Sequence, residues 1–441
     1  MYAGRIACCI VGLLSVSAPV WALDPVQILA PSDAASGYSE GFGQSVAISG
    51  DWLVIGAPYD DELEYDAGAA YVFRRSGAQW VEQQKLYDLS PSWEGGFGSS
   101  VAIDSDWIVV GAPGIGVCAG CGIGSGVLFR RDDRGTPQDL SDDYWLYAAA
   151  LHPPPSHLCC KFGTSVAFHG DSILVGSLRG EFDAGRAYAF EWNGKEWTGP
   201  QTIVPLESQV GDEFGSSVSL HGFLGVIGAK RADGVADQTG AAYVFRRTQD
   251  GWSQEARLIA SDGEDRDFFG GTVRVGADMV VIGARNNRHC CGTRGAAYVF
   301  IPESGIWYER SKVFPNTPTL STDVGWSLGI DGDRLLVGAT EGPKGYLFEV
   351  SADTWVETAM LDGPADYVAA AVAIDRLFAV VGSHLYAVGE AFDLVDFAQF
   401  QNCLTPPSES VPPTCKRFDL ERDDRVDVKD LSLLLLTFRG P

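Results

Sequence analysis

The residues whose types and spacing suit chemistry are densest near the C-terminus. Asp419, Glu421, Asp423, Arg425, Asp427 and Asp430 take positions one, three, five, seven, nine and twelve of a twelve-residue stretch. Carboxylates at alternate places, with the Arg425 carbonyl among them, supply the oxygens that a hard cation such as calcium takes. Asp424 holds the sixth place, where such a loop turns through a left-handed backbone that Asp tolerates better than most residues. Leu431, Leu434, Leu435 and Phe438 follow at helical spacing. Upstream, Leu394, Phe397, Phe400 and Leu404 have the same spacing, and Asp393 is placed to cap that helix. Only Asp393 and Asp396 remain there as loop carboxylates, so one calcium is expected in this module.

Ten cysteines form a second set. Cys8 and Cys9 fall within residues 1–22, where Arg5, an apolar run from Ile6 to Leu14 and the small Ala22 read as a secretory signal. The other cysteines are even in number, which in an exported chain suggests disulfides. Cys118 and Cys121 are candidates to cross-link with Cys159 and Cys160. Zinc held by His152, His157, Cys159 and Cys160 is the alternative, though adjacent cysteines suit a tetrahedral site poorly. Cys290 and Cys291 make either a vicinal disulfide or two thiols. Cys403 and Cys415 flank the connector 405–414 and are expected to pair, because so small a module has little core.

Charge supplies the third set. The chain has 441 residues, 46% of them hydrophobic, and a formal net charge of −26. Such a chain is globular and repels nucleic acid, so divalent cations are its likelier electrostatic partners. Against that background Arg179, Lys230, Arg231, Arg285, Arg288 and His289 stand out as a basic group able to grip a carboxylate or sulfate, as on an acidic glycan. Asp60, Asp61, Glu62, Glu64 and Asp66 form an acidic counterpart. Asp233, Asp237, Glu341, Glu181, His152 and His289 are the off-pattern acids and bases an enzyme would draw on, but no pair has a spacing that specifies a reaction. Outside the signal, the most apolar segment runs only from Leu431 to Phe438, too short to span a bilayer, so no transmembrane segment is expected in the mature chain.

These residues need a scaffold, and the sequence repeats one. Phe42, Phe97, Phe162, Phe214, Phe269, Val324 and Val368 are equivalent anchors, spaced by 55, 65, 52, 55, 55 and 44 residues. Fourteen residues after each stands a glycine: Gly56, Gly111, Gly176, Gly228, Gly283, Gly338 and Gly382. Each unit carries alternating apolar runs, such as Ser45-Val46-Ala47-Ile48, Leu53-Val54-Ile55 and Ala70-Tyr71-Val72-Phe73, with a tight turn at Gly50-Asp51. A fourth run holds an aromatic and a leucine, as at 80–86, 252–258 and 355–361. Four short strands per unit describe a propeller blade. The seventh unit lacks its fourth strand, and residues 26–33 resemble 256–262, so the N-terminal strand is expected to complete it.

Phe42-Gly43 with Gly56-Ala57-Pro58, and Phe97-Gly98 with Gly111-Ala112-Pro113, resemble the FG-GAP repeats of integrin alpha-subunit propellers and their bacterial relatives, over residues 23–388. Later copies drift, with Val324-Gly325 and Val368-Ala369 at the anchor and Lys230, Arg285 and Thr340 at the proline position. The resemblance brings to mind calcium loops between the first two strands of a blade. Here that connection is a short hairpin, and Asp51, Asp106, Asp171, Asp278 and Asp333 read as turn formers. The C-terminal stretch is similar to a dockerin-type EF-hand repeat, and the whole module to the dockerin-like tails of secreted bacterial proteins.

The expectation is therefore an all-β, seven-bladed β-propeller at 23–388, closed by the N-terminal strand, behind a signal peptide at 1–22. A small α-helical, EF-hand or dockerin-like calcium-binding domain is expected at 389–441. The implied protein is secreted or held at the bacterial cell surface or periplasm, and binds or adheres without catalysis. A loop face would engage a protein or glycan, and the tail would meet a cohesin-like or cell-surface partner. A carbohydrate-active hydrolase or lyase, and a purely structural surface component, are the alternatives.

Overall fold

In the computed structural model, the first repeat folds as its alternation dictates. Strand A (Ser45–Ser49), strand B (Trp52–Ala57), strand C (Ala69–Ser76) and strand D (Gln79–Leu86) form one antiparallel sheet in chain order. Gly50 takes a φ of 57° in the A–B turn, which lets the chain reverse at once. The structure describes residues 21–388 apart from 35–38, 78, 115–116, 119–120, 137–138, 158–160, 179–183, 289–293, 316–322, 341–343, 352–353, 365–370 and 376. Within these, helices are confined to 3-10 turns such as Leu140–Asp142 and Pro155–His157. The signal segment up to residue 20 and the expected α-helical calcium module lie outside the described residues.

Six more blades repeat the design. Their innermost strands are Ser100–Asp104, Phe162–His169, Phe214–His221, Phe269–Val275, Ser327–Asp331 and Val372–Asp375. Each A strand packs on the next, and the seventh returns to the first, so the A strands wall an axial channel. Blade seven is completed as expected. Its sheet runs Val372–Asp375, Phe378–Val381, His384–Ala387 and then Gln27–Ile28, with Gln27 opposite Leu385 and Ile28 opposite His384. Val26 N–H donates to the Leu385 carbonyl at 2.8 Å and Leu29 N–H to that of Ser383 at 2.9 Å. One feature departs from expectation. Trp21–Leu23 runs parallel to Thr354–Asp362 and adds a fifth strand to blade six, although Trp21 and Ala22 read as the end of the signal.

The recurring glycines explain how blades join. A Cβ on Gly56, Gly111, Gly176, Gly228 or Gly283 would sit 1.9–2.2 Å from the carbonyl oxygen of the glycine after the next blade's anchor, namely Gly98, Gly163, Gly215, Gly270 or Gly325. No side chain fits there. That carbonyl accepts a hydrogen bond from the hydroxyl of Ser45, Ser100, Ser165, Ser217 or Thr272 in the preceding blade, at 2.7–3.0 Å. Parallel bridges from Gly68 to Phe97, Gly124 to Phe162, Gly185 to Phe214, Gly240 to Phe269 and Gly295 to Val324 fasten each seam a second time. The FG and GAP elements are thus two halves of one interblade contact. Between the seams, Phe42, Phe97, Phe162, Phe214 and Phe269 are buried with the tyrosines and phenylalanines of strand C.

The last residues of strand A form a ring at the opposite end of the channel. Asp104 accepts from Gly170 N–H at 2.7 Å, His169 Nδ1 from Gly222 N–H at 3.1 Å, and Asp375 from Gly50 N–H at 2.8 Å. The turn aspartates follow them. Asp51 pairs with Arg75 and Asp106 with Arg131 in their own blades, while Asp171 pairs with Arg247 of the next. These carboxylates hold strand C arginines at the A–B end.

Candidate functional site

Antiparallel order places the B–C and D–A loops at one end of the ring, and these loops are the longest. Their backbone is built, not loose. In blade one, Gly68 N–H donates to the Asp60 carbonyl at 3.0 Å, and Asp66 N–H to the Asp61 carboxylate at 2.6 Å. In blade four, Gly240 N–H donates to the Ala232 carbonyl at 2.8 Å, and Gln238 N–H to the Asp233 carboxylate at 3.0 Å. Asp66 and Gln238 share a left-handed φ, 49° and 48°. The following D–A loops dock alike, with Glu94 N–H on the Tyr65 carbonyl and Arg266 N–H on that of Asp237. One loop frame therefore presents two different sets of side chains.

On blades one and two that set is aromatic and acidic. Tyr65 stacks on Trp93 with centroids 5.8 Å apart, yet the two remain 54% and 63% exposed. Tyr59, Leu63 and Leu89 are exposed on the same loops. Asp66, then burial, then Asp61, Glu94 and Glu40 hold the Tyr65 phenol above its ordinary pKa. Burial, followed by Asp61, likewise raises the Asp66 carboxyl. An aromatic face ringed by carboxylates can stack on a sugar or hold a cationic side chain.

Blade one also carries a partly buried cluster at its seam with blade seven. Lys85 Nζ reaches Asp33 at 2.5 Å, Asp60 at 2.8 Å and Glu62 at 2.7 Å, and Asp60 is 1% exposed. Tyr71 donates to Asp33 at 2.9 Å and Tyr87 to Glu62 at 2.6 Å. Burial by itself would lower the Lys85 pKa, but its bonds to Asp33, Asp60 and Glu62 raise it well above the ordinary value. Burial acts on Asp33 in the raising direction, and Lys85 and Tyr71 bring it below the usual carboxylate range. The seam of blades four and five repeats the device. Asp262 takes Lys312 at 2.5 Å and Tyr298 at 2.7 Å, while Ser261 caps Glu309 as Ser32 caps Glu82. The likeness of 26–33 to 256–262 is thus a likeness of interblade clips.

Blades three to five carry two open grooves, of about 560 and 730 Å³. Lys161, Glu213, Lys230, Arg231, Asp233 and Asp237 line the first. Asp237 continues into the second, with Glu264, Asp265, Arg266, Asn286 and Arg294. The basic residues here are compensated. Lys230 and Arg231 both close on Glu213, at 2.8 and 3.0 Å, and Arg285 lies over the rings of Phe268 and Trp326. Asp212 and Asp267 are buried, which raises their pKa, and each accepts a loop N–H, from Gln209 at 2.7 Å and from Glu264 at 2.8 Å. Asp233 and Asp237 share a groove, but the Asp233 carboxylate is committed to Gln238 N–H.

A rule missed in the sequence emerges from these pairs. In blades one, two, four, five and six the residue before the anchor packs against the residue at the proline position of the same blade. Glu213 meets Lys230, Phe268 meets Arg285, and Thr340 Oγ1 donates to Asp323 at 3.3 Å. In blade one the partners are Gly41 and Pro58, and in blade two Gly96 and Pro113. The drift at the proline position is matched by its neighbour, and comparing the two columns across the repeats would have shown it.

The other expected site residues are placed as follows. Cys118 and Cys121 are backbone partners in the register of a short hairpin, Val117–Cys118 with Cys121–Gly122. Arg288 ends strand B of blade five, Val280–Arg288. Arg179, Glu181, His289 and Glu341 lie outside the described residues, as do Cys159, Cys160, Cys290, Cys291, Cys403 and Cys415 and the calcium set of Asp419, Glu421, Asp423, Arg425, Asp427 and Asp430. No cluster able to hold a metal ion occurs among the described residues.

Comparison with known proteins agrees with the repeat. The family model described as FG-GAP repeat matches residues 24–73, 80–125, 197–245 and 252–300. The chain carries FG-GAP repeats on a seven-bladed propeller, a combination that fits a binding or structural role. Each matched window starts within three residues of the start of a D strand and ends inside the next blade's strand C, so the sequence unit is offset from the blade by one strand. Among solved structures, Sqt1 of Saccharomyces cerevisiae is similar at 10% identity over 82% of this chain and 83% of that one, with a TM-score of 0.46. Chaetomium thermophilum Sqt1 is similar at 14% identity over 77% of each chain, with a TM-score of 0.44. Likeness at that level carries no functional argument. No curated protein sequence matches.

Proposed function

We propose that this chain is an exported bacterial binding protein that engages a protein or glycan through the B–C loop face of its propeller. The observation that carries this reading is the shared loop frame of blades one and four, which holds unlike side chains at the same backbone positions. Rigid loops with variable side chains on a repetitive scaffold are where recognition accumulates. The exposed Tyr65 and Trp93 pair is the best placed contact, because aromatic side chains supply large contact area at little conformational cost. The Lys230, Arg231 and Arg285 arc, with Arg179, Arg288 and His289, is the second candidate contact, suited to an acidic glycan.

The tail is proposed to add a second interaction. Asp419, Glu421, Asp423, Arg425, Asp427 and Asp430 would hold one calcium, and the ordered module would dock to a cohesin-like or cell-surface partner. Disulfides among the eight cysteines beyond the signal suit the oxidising compartment that an exported chain enters.

A panel of glycans and secreted proteins, presented to the mature chain with and without calcium, tests the reading. Binding without turnover that weakens at least tenfold in the Tyr65→Ala/Trp93→Ala variant supports it. Release of a product from any glycan would replace it with an enzyme.

A further inference from the structure

Arg274 breaks the repeat on the innermost strand of its blade, where it stays partly exposed. It lies five residues after the anchor Phe269, in strand A of blade five. The other blades carry Ala47, Ala102, Ala167, Ser219, Gly329 and Ala373 at that position. These are the innermost strands, and residues this small, packed at the interblade seams, do not reach across the axis. Ala102, Ala167, Ser219 and Ala373 keep 6–9% exposure, so water reaches this layer through the channel.

Among the described residues the guanidinium has no counter-charge, and its one hydrogen bond there runs from Nη1 to the Val273 carbonyl at 3.2 Å, so most of its five donors have no acceptor among them. Burial pulls its pKa below the ordinary arginine range, and no carboxylate of the described residues offsets that effect. Asp104, Asp331 and Asp375 lie two residues further along their A strands; Asp104 and Asp375 accept from the Gly170 and Gly50 N–H groups, and Asp331 has a partner of its own. The side chain is partly exposed, so channel water meets part of the demand of its donors, but a guanidinium fork matches a two-oxygen acceptor better than separate waters.

We propose that Arg274 anchors an oxyanion site inside the axial channel, which takes a small free carboxylate or phosphate. The fork donates to two oxygens of the anion, and the small residues of the other six blades provide the room. The site is independent of the loop face, from which it is separated by the depth of the ring wall.

Thermal unfolding of the mature chain in sodium chloride, acetate or inorganic phosphate at equal ionic strength decides the matter. Acetate or phosphate should raise the wild-type midpoint saturably, by about 3 °C or more over chloride. Arg274→Met should lose the rise and be at least as stable as wild type in chloride, because it removes an uncompensated charge. Arg274→Lys, which keeps the charge but not the fork, should lose most of the rise, and it decides the question if the methionine variant does not fold. Acetate against phosphate identifies which oxyanion is preferred. An equal response to all three anions, or a rise that survives in either variant, overturns the proposal.

Discussion

Replacing Gly228 with alanine isolates the contact on which the ring depends. The new Cβ would lie 1.9 Å from the Gly270 carbonyl oxygen and 2.4 Å from Ser217 Oγ. A carbon and a carbonyl oxygen approach to about 3.3 Å even in favourable contacts, so the shortfall is about 1.4 Å. Ser217 can rotate away, but the carbonyl belongs to the backbone of the next blade. Relief therefore requires the seam between blades four and five to open, where Val226, Val244, Leu258, Phe269 and Val273 pack together. Overpacking of this kind costs about 3 kcal/mol or slightly more. Gly305→Ala is the control. Its φ of 82° strains alanine, but nothing lies within 4 Å, so it should cost only about 1 kcal/mol. Thermal unfolding followed by tryptophan fluorescence should lower the midpoint by about 4–5 °C in the first variant and about 1 °C in the second. Adding Ser217→Ala should not rescue Gly228→Ala, since the carbonyl remains. A Gly228→Ala midpoint no lower than that of Gly305→Ala would refute the two-half account of the repeat.

Lys85→Met leaves the buried Asp60 facing the more exposed Asp33 and Glu62 without a cation, and should destabilise by about 2–3 kcal/mol, below the cost for a fully buried pair, read as a lowered urea midpoint. Asp33 and Asp262 have lowered folded-state pKa values, so their contribution is complete above the unfolded carboxylate value and is lost as pH falls through the folded one. Asp33→Asn/Asp262→Asn should accordingly flatten the fall in stability below about pH 4, measured by acid titration of the fluorescence signal. Asp212 and Asp267, raised by burial, act oppositely, and Asp212→Asn should leave a steeper acid loss than wild type. In the tail, Asp423→Ala should abolish the calcium-dependent calorimetric transition that chelator removes from wild type.

The parts of the fold that were legible in the sequence are those set by local spacing. Fourteen residues from anchor to glycine is the reach of an A–B hairpin, and the seam that needs a bare glycine recurs with it. Closure was legible because residues 26–33 keep the Ser-Asp pair of 260–262, whose clip geometry they reproduce. Contacts set by register between strands were not. Asp51 could be read as a turn residue, but its arginine lies on strand C, 24 positions away. Lys230 and Arg285 stood out as free cations because their partners, Glu213 and Phe268, come from the preceding strand of the hairpin. Arg274 was hidden by strand alternation, and only a column of the seven copies exposes it. The parallel pairing of Trp21–Leu23 left no sequence signal, since three residues on a sheet edge need no pattern.

The one-strand offset between repeat and blade also sets a timetable. Ile28 waits for His384, more than 350 residues later, before the ring can shut. At about 5–20 residues per second of synthesis, the first strand spends about 20–70 s without its neighbour. Blades one to six can assemble behind it in order, each seam closing as the next anchor arrives. Closure of the ring thus joins residues 27–28 to the strand of the ring that is made last. A chain cut short anywhere before residue 384 keeps an unpaired sheet edge at both ends, and is marked as unfinished by that alone.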